Sequence, residues 1–149
     1  MVSHVKQVFA IALLVLAAGC EYIPFSWGEL EGKQSSPLAN WREVADVSIV
    51  QLETLREGKP YSVNLWIANI EGTLHVFAGD NVAAWVENIQ TDPNVRLGVN
   101  GSIYELTAAQ ETDATQFEKF AQEWEAKYGN RPRNENVDET YLYRLTARE

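Results

Sequence analysis

Cysteine occurs once in the 149 residues, at Cys20, and histidine twice, at His4 and His75. One cysteine allows no intrachain disulfide, so a folded domain must be held by packing alone. The same scarcity puts a four-ligand Cys/His zinc site out of reach of a single chain. No Gly-x-Ser-x-Gly stretch occurs, which removes the nucleophile elbow of serine hydrolases. Basic charge is also thin: 12 Lys and Arg stand against 21 Asp and Glu, a net charge of −9 at pH 7. Such a field repels nucleic acid and anionic head groups. No apolar run approaches the roughly 20 residues that a membrane-crossing helix needs. No internal repeat or low-complexity tract is visible.

The longest apolar run is Val8 to Ala18, about 11 residues, preceded by Lys6 and closing on Leu16-Ala17-Ala18-Gly19-Cys20. A short basic start, an apolar stretch and small residues at its end are the parts of an export signal. Leu/Ala-Ala-Gly-Cys resembles the bacterial lipobox, which implies cleavage before Cys20 and acylation of its sulfur. The alternative is an ordinary secretory peptide with a chance cysteine. Two or more acyl chains hold a protein durably at a bilayer, each buried methylene contributing about 0.8 kcal/mol. The expected mature protein is therefore a lipid-anchored envelope protein beginning at residue 20. No twin arginine precedes the apolar run, so export in an unfolded state is expected, without a cytoplasmic cofactor. Glu21 is not the aspartate that signals inner-membrane retention in enteric-type bacteria. That favours the periplasmic face of the outer membrane.

Loss of residues 1–19 leaves 130 residues, enough for one domain with one core. It removes Lys6 and His4, which takes the net charge from −9 to −10 and leaves His75 as the single histidine. A Cys-His dyad is then excluded, because Cys20 carries lipid. Residues 20–36, with Pro24, Gly28 and Gly32 and no sustained period, read as the lipidated cysteine and a tether, and residues 37–149 as the domain. Fully extended, that tether reaches roughly 50 Å. Its Tyr22, Ile23, Phe25 and Trp27 suit either the membrane interface or docking on the domain.

Ser36-Pro37 reads as a helix start, continuing to about Ala45 through Leu38, Trp41 and Val44. From Ser48 to Arg56 the pattern alternates, with Val50, Leu52 and Thr54 on one side and Ile49, Gln51 and Glu53 on the other. Turn residues 57–60 lead into a second extended stretch, Tyr61 to Asn69, and Glu71-Gly72 into a third, Thr73 to Phe77. Val82, Trp85, Val86 and Ile89 share one helical face between Asn81 and Gln90, which Asp92-Pro93 stops. Val95–Val99 and Ser102–Ala109 flank Asn100-Gly101, a strong hairpin signal. Asp113 and Gln116 stand in capping-box spacing before a helix with Phe117, Phe120, Trp124 and Tyr128 on one stripe, ended by Gly129. Tyr141–Leu145 suits a last strand. Six strands and three helices predict an α+β fold, a small six-stranded antiparallel split β-barrel with flanking helices.

Residues 50–109 carry a family resemblance. Leu55-Arg56-Glu57-Gly58-Lys59-Pro60 followed by Ser62-Val63-Asn64-Leu65-Trp66 resembles the first hairpin of split-barrel proteins related to pyridoxamine 5′-phosphate oxidase, which bind FMN or a deazaflavin. Ala84 to Val95, with Trp85, Asn88 and Asp92-Pro93, and then Gly101, Tyr104 and Ala108, resembles the deazaflavin-dependent nitroreductase branch. The resemblance implies a nucleotide cofactor in a groove, its phosphate held by Arg56, Lys59 and Ser62, with Trp66 near the ring and Trp85 and Asn88 in the following helix. Hydride chemistry would belong to the ring. The chain departs from the pattern in two places. Asn81-Val82-Ala83-Ala84 carries no basic residue, and the phosphate loop is reduced to Ala78-Gly79-Asp80.

Each of these residues also has a structural reading. Arg56 and Lys59 flank a turn, Trp66 and Trp85 lie on apolar stripes, Asn88 suits a backbone cross-link, and His75 suits a sheet face. Two functions follow as expectations. One is an envelope oxidoreductase that reduces a small acceptor with FMN or a deazaflavin. The other is a cofactor-free split-barrel module binding a small ligand or an envelope protein. Neither involves a metal. The partners implied are the membrane through the lipid and no nucleic acid, with a homodimer left open.

Overall fold

The computed structural model of the protein describes residues 28–149. The lipobox, Cys20 and the aromatic residues before Gly28 lie outside the described residues. Alternation dominates the described chain, and it produces seven strands: β1 (Lys33–Ser35), β2 (Ile49–Arg56), β3 (Lys59–Ile70), β4 (Thr73–Phe77), β5 (Asn94–Val99), β6 (Ser102–Gln110) and β7 (Leu142–Ala147). Two α-helices, α1 (Ala84–Thr91) and α2 (Ala114–Tyr128), and a 3-10 turn at Trp41–Val44 complete it.

Strands β6, β5, β2, β3, β4 and β7 pair in that order, and β7 pairs back to β6, closing a six-stranded antiparallel barrel. This is the split-barrel architecture expected from the sequence, with β1 added in parallel outside it on β6. Alternate residues point inward. Val50 and Leu52 of β2, Val63 and Ile67 of β3, Leu74 and Val76 of β4, Leu97 of β5, Leu106 of β6 and Leu145 of β7 fill the interior. Tight turns set the register: Glu57-Gly58, Glu71-Gly72 and Asn100-Gly101 all have positive φ at both residues, as short hairpin turns demand.

Each end of the barrel has its own plug. Trp41 stands edge-on to Tyr104 at 5.1 Å, and its amide donates to the carbonyl of Gly72 at the β3–β4 turn. At the other end α1 inserts Trp85, Val86 and Ile89 into the interior cluster. The outer face of β3, β4 and β7 carries a second cluster, in which Ala68, Ile70 and Leu142 meet Phe117, Phe120 and Ala121 of α2. Asp113 caps α2 by accepting from the Gln116 amide at 2.9 Å, and Gly129 ends it at φ 83°. Trp124 is only partly buried in that cluster.

The long strand β3 changes partner midway. It pairs with β2 up to Trp66 opposite Ile49, and with β4 from Ile67 onward. The split leaves backbone groups that α2 satisfies. Tyr128 Oη accepts from the Ile67 amide at 3.1 Å and lies 2.6 Å from the Ile67 carbonyl and 3.0 Å from the Ser48 carbonyl, which share its one proton. Lys127 Nζ donates to the carbonyls of Val47 and Ile67. Burial pushes the Tyr128 hydroxyl above its ordinary range and the Lys127 ammonium below its own.

Three local expectations need correction. The tether reading of residues 20–36 does not hold over its described part, because Leu30 is buried and Lys33–Ser35 pairs with β6. Ser36 caps no helix; Asn40 caps the short 3-10 turn, accepting from the Arg42 amide at 2.9 Å. Helix α1 begins at Ala84, three residues later than expected, and has no side-chain cap.

Candidate functional site

The residues singled out from the sequence fall around the β2–β3 hairpin, in three different settings. Arg56 and Lys59 face each other across the last pair of the hairpin, exposed, and make no ion pair among the described residues. Ser62 is buried, and its hydroxyl donates to the carbonyl of Gly28. Asn88 is buried in α1, and its amide donates to Thr54 Oγ1 at 2.9 Å; that hydroxyl donates to the Tyr61 carbonyl at 3.3 Å. A chain of hydrogen bonds thus pins α1 to the hairpin from inside. Trp85 is buried edge-on to Tyr143 at 5.9 Å. Trp66 points outward, 50% exposed, stacked on Tyr128 at 4.9 Å with 15° between planes.

Sequence reasoning missed a polar row across the outer face. Ser62 lies opposite Glu53, Glu53 opposite Arg96 and Arg96 opposite Glu105 on neighbouring strands. Glu53 is 5% exposed, and Arg96 Nη1 donates to its two oxygens at 3.1 and 3.0 Å. The Leu30 amide donates to the same carboxylate at 2.7 Å, and Glu29 lies 3.5 Å from Arg96. The segment from Gly28 to Ser35 is therefore a strap, running from β3 over β2 and β5 to the edge of β6. Gly32 is needed on this path: a Cβ there would meet the Gly101 carbonyl at 2.9 Å and Ile103 at 3.0 Å. An outward Glu53 in an alternating strand was visible in the sequence. Its burial was not, because the cover comes from residues 23 positions earlier.

The strap bears directly on whether a nucleotide fits. The resemblance assigns phosphate to Arg56, Lys59 and Ser62, yet the Ser62 hydroxyl is engaged by the strap and a buried carboxylate lies beside it. Asn88 and Trp85 face inward and are spent on the fold. Grooves open on the described surface. One of about 220 Å³ is lined by Ile49, Gln51, Gly98 and Ser102 among others, and one of about 350 Å³ by Gln34, Pro37, Glu105 and Arg148 among others. Neither is lined by any of the six residues assigned to the cofactor. Of the three residues assigned to phosphate, Ser62 is engaged by the strap, and Arg56 and Lys59 remain exposed at the hairpin tip. No group of three or more His, Cys, Asp or Glu able to hold a metal occurs among the described residues.

His75 lies outward on β4, buried, between Ala68 and Arg144 on the neighbouring strands. Its Nδ1 is 3.1 Å from the Thr73 carbonyl, and its Nε2 has no partner. Arg144 is paired instead with Glu111 at 3.4 Å. Burial holds the imidazole below its ordinary range, against the Thr73 carbonyl and Glu111, which favour the charged form. The unfolded chain therefore takes up this proton first as pH falls. The contribution of His75 is complete above about pH 6.5 and is lost below it. His75→Phe is expected to flatten the stability profile below about pH 6.5, as read by urea midpoints; an unchanged slope would contradict this.

Comparison with known proteins places the fold. No family model matches the sequence, and neither does any curated protein. Solved structures do match. A conserved hypothetical protein from Mycobacterium tuberculosis is 17% identical with a TM-score of 0.56, over 78% of this chain and 86% of that one. A protein from Listeria innocua named for pyridoxamine 5′-phosphate oxidase is 13% identical with a TM-score of 0.54, over 68% and 85%. An FAD-binding protein from Mesorhizobium loti is 13% identical with a TM-score of 0.52, over 71% and 83%. The chain thus has the split-barrel fold of pyridoxamine 5′-phosphate oxidase-like proteins. At these identities the likeness is one of fold.

Proposed function

We propose that this is an envelope lipoprotein, acylated at Cys20, whose split barrel works without a resident flavin as a module that binds an envelope component. The observation that carries the second half is the strap. Gly28 occupies the Ser62 hydroxyl, and Leu30 covers Glu53, on the ground where the resemblance puts a nucleotide phosphate. A phosphate there would also face Glu53, opposite Ser62, and Glu29 beside it at like charge. The first half rests on Leu16-Ala17-Ala18-Gly19-Cys20 after a short apolar run. The periplasmic face of the outer membrane is the proposed location, because Glu21 follows the cysteine.

The reading of an FMN or deazaflavin oxidoreductase keeps one observation in its favour, Arg56 and Lys59 at the hairpin tip, exposed and without an ion pair among the described residues. Alone they supply two cations and no ring pocket. Lipidation depends on a single sulfur: Cys20→Ser is expected to abolish radiolabelled palmitate incorporation and release the protein from membranes. Label in that variant would show the anchor to be elsewhere.

A further inference from the structure

Three features of the outer face remain without a role: the exposed Trp66, the exposed Ile49 opposite it, and the position of Gly28, the first described residue. Ile49 and Trp66 are paired across β2 and β3, 38% and 50% exposed, and both point away from the interior. Trp66 is backed by Tyr128 at 4.9 Å and Trp124 at 5.8 Å, so it is held in place and not free to fold away. Ser62, which holds Gly28, lies on the same face of β3 four residues earlier, about 13 Å along the strand.

The strap shortens the anchor. Only eight residue steps separate Gly28 from Cys20, about 26 Å when fully extended. A folded chain of roughly 120 residues has a radius of gyration near 14 Å and hence a diameter of about 35 Å. The anchor is thus shorter than the domain is wide. An anchor of that reach keeps Gly28 within about 26 Å of the bilayer that carries Cys20, so the domain cannot rest on it by the face opposite Gly28. Resting on the anchor reading above, we propose that the Ile49–Trp66 patch docks on the lipid head-group interface of that same bilayer.

The chemistry of the patch suits this partner. Trp and Tyr settle at the boundary of apolar and wet regions, where a ring is buried and its polar edge stays hydrated. Arg56 and Lys59, at the other end of the same hairpin, stand seven positions or roughly 23 Å along the strands and are not part of the patch. Glu31, which lines a groove together with Ile49, adds no attraction to anionic lipid, so the apolar contact dominates and zwitterionic head groups suffice.

The test uses the full, lipidated protein in vesicles of phosphatidylethanolamine and phosphatidylglycerol containing a head-group nitroxide lipid. A fluorophore is attached in turn to Trp66→Cys, Ile49→Cys and Thr146→Cys, the last on β7 across the barrel. Cys20 is blocked by its lipid. Quenching several-fold stronger at positions 49 and 66 than at 146 is expected. Equal quenching at all three in acylated protein overturns the docking and leaves the anchor standing. Protection of position 66 from an aqueous quencher in unlipidated Cys20→Ser protein overturns it as well, because residues 21–27 or a second copy would then be the cover. Mass measurement on the same samples reports acylation separately. Its absence removes the anchor, and the docking with it.

Discussion

Phe120→Ala is expected to lower the free energy of unfolding by about 3 to 5 kcal/mol, measured by urea denaturation. Phe120 has no exposed surface, and its ring lies 4.9 Å from Phe77, 5.6 Å from Phe117 and 5.3 Å from Trp124. Truncation would leave a cavity lined by stiff rings and by the outer face of a closed barrel, neither of which can collapse into it. The same substitution at Trp124, partly exposed on the stripe, should cost less. A loss below about 1 kcal/mol at Phe120 would mean that α2 is not a packed layer.

Glu53→Ala is expected to cost about 3 kcal/mol, at the low end of the range for breaking a buried ion pair. Two groups are stranded by it, the Arg96 guanidinium and the Leu30 amide. The cost stays at the low end because the Arg96 side chain is 22% exposed and keeps Glu29 at 3.5 Å. Replacing both partners, Glu53→Leu with Arg96→Met, should recover most of the loss, since two apolar side chains leave no uncompensated charge. The strap adds a local readout. Hydrogen exchange at the Leu30 amide should accelerate in Glu53→Ala while that of the β6 interior stays protected. Equal protection in the variant would show that the strap is held by something other than this carboxylate.

The barrel was legible in the sequence because its signals are local. Period-two alternation from Ser48 to Arg56 marks the inward Val50, Leu52 and Thr54. Asn100-Gly101 announces a hairpin, and Asp113 with Gln116 opens α2 where the cap forms. The strap was not legible. Lys33–Ser35 is too short and polar to show a period, and its partner in the sheet lies nearly 70 residues later. The site residues divide along the same line. Trp85 and Asn88 were recognisable by type and spacing, but what each touches depends on Tyr143 and Thr54, distant in the chain. Trp66 alternates with Val63, Leu65 and Ile67, so its outward direction was available from the pattern. Its exposure was not, because that depends on where α2 ends.

The central claim is that the strap has taken the ground of a nucleotide phosphate, and a cofactor titration tests it most directly. Protein produced in a flavin-containing cytoplasm should purify without visible absorbance. Addition of FMN or a deazaflavin should give no saturable binding up to about 1 mM, a threshold near 4 kcal/mol. A retained chromophore, or a micromolar dissociation constant that Arg56→Ala or Lys59→Ala weakens about tenfold to a hundredfold, would contradict the account.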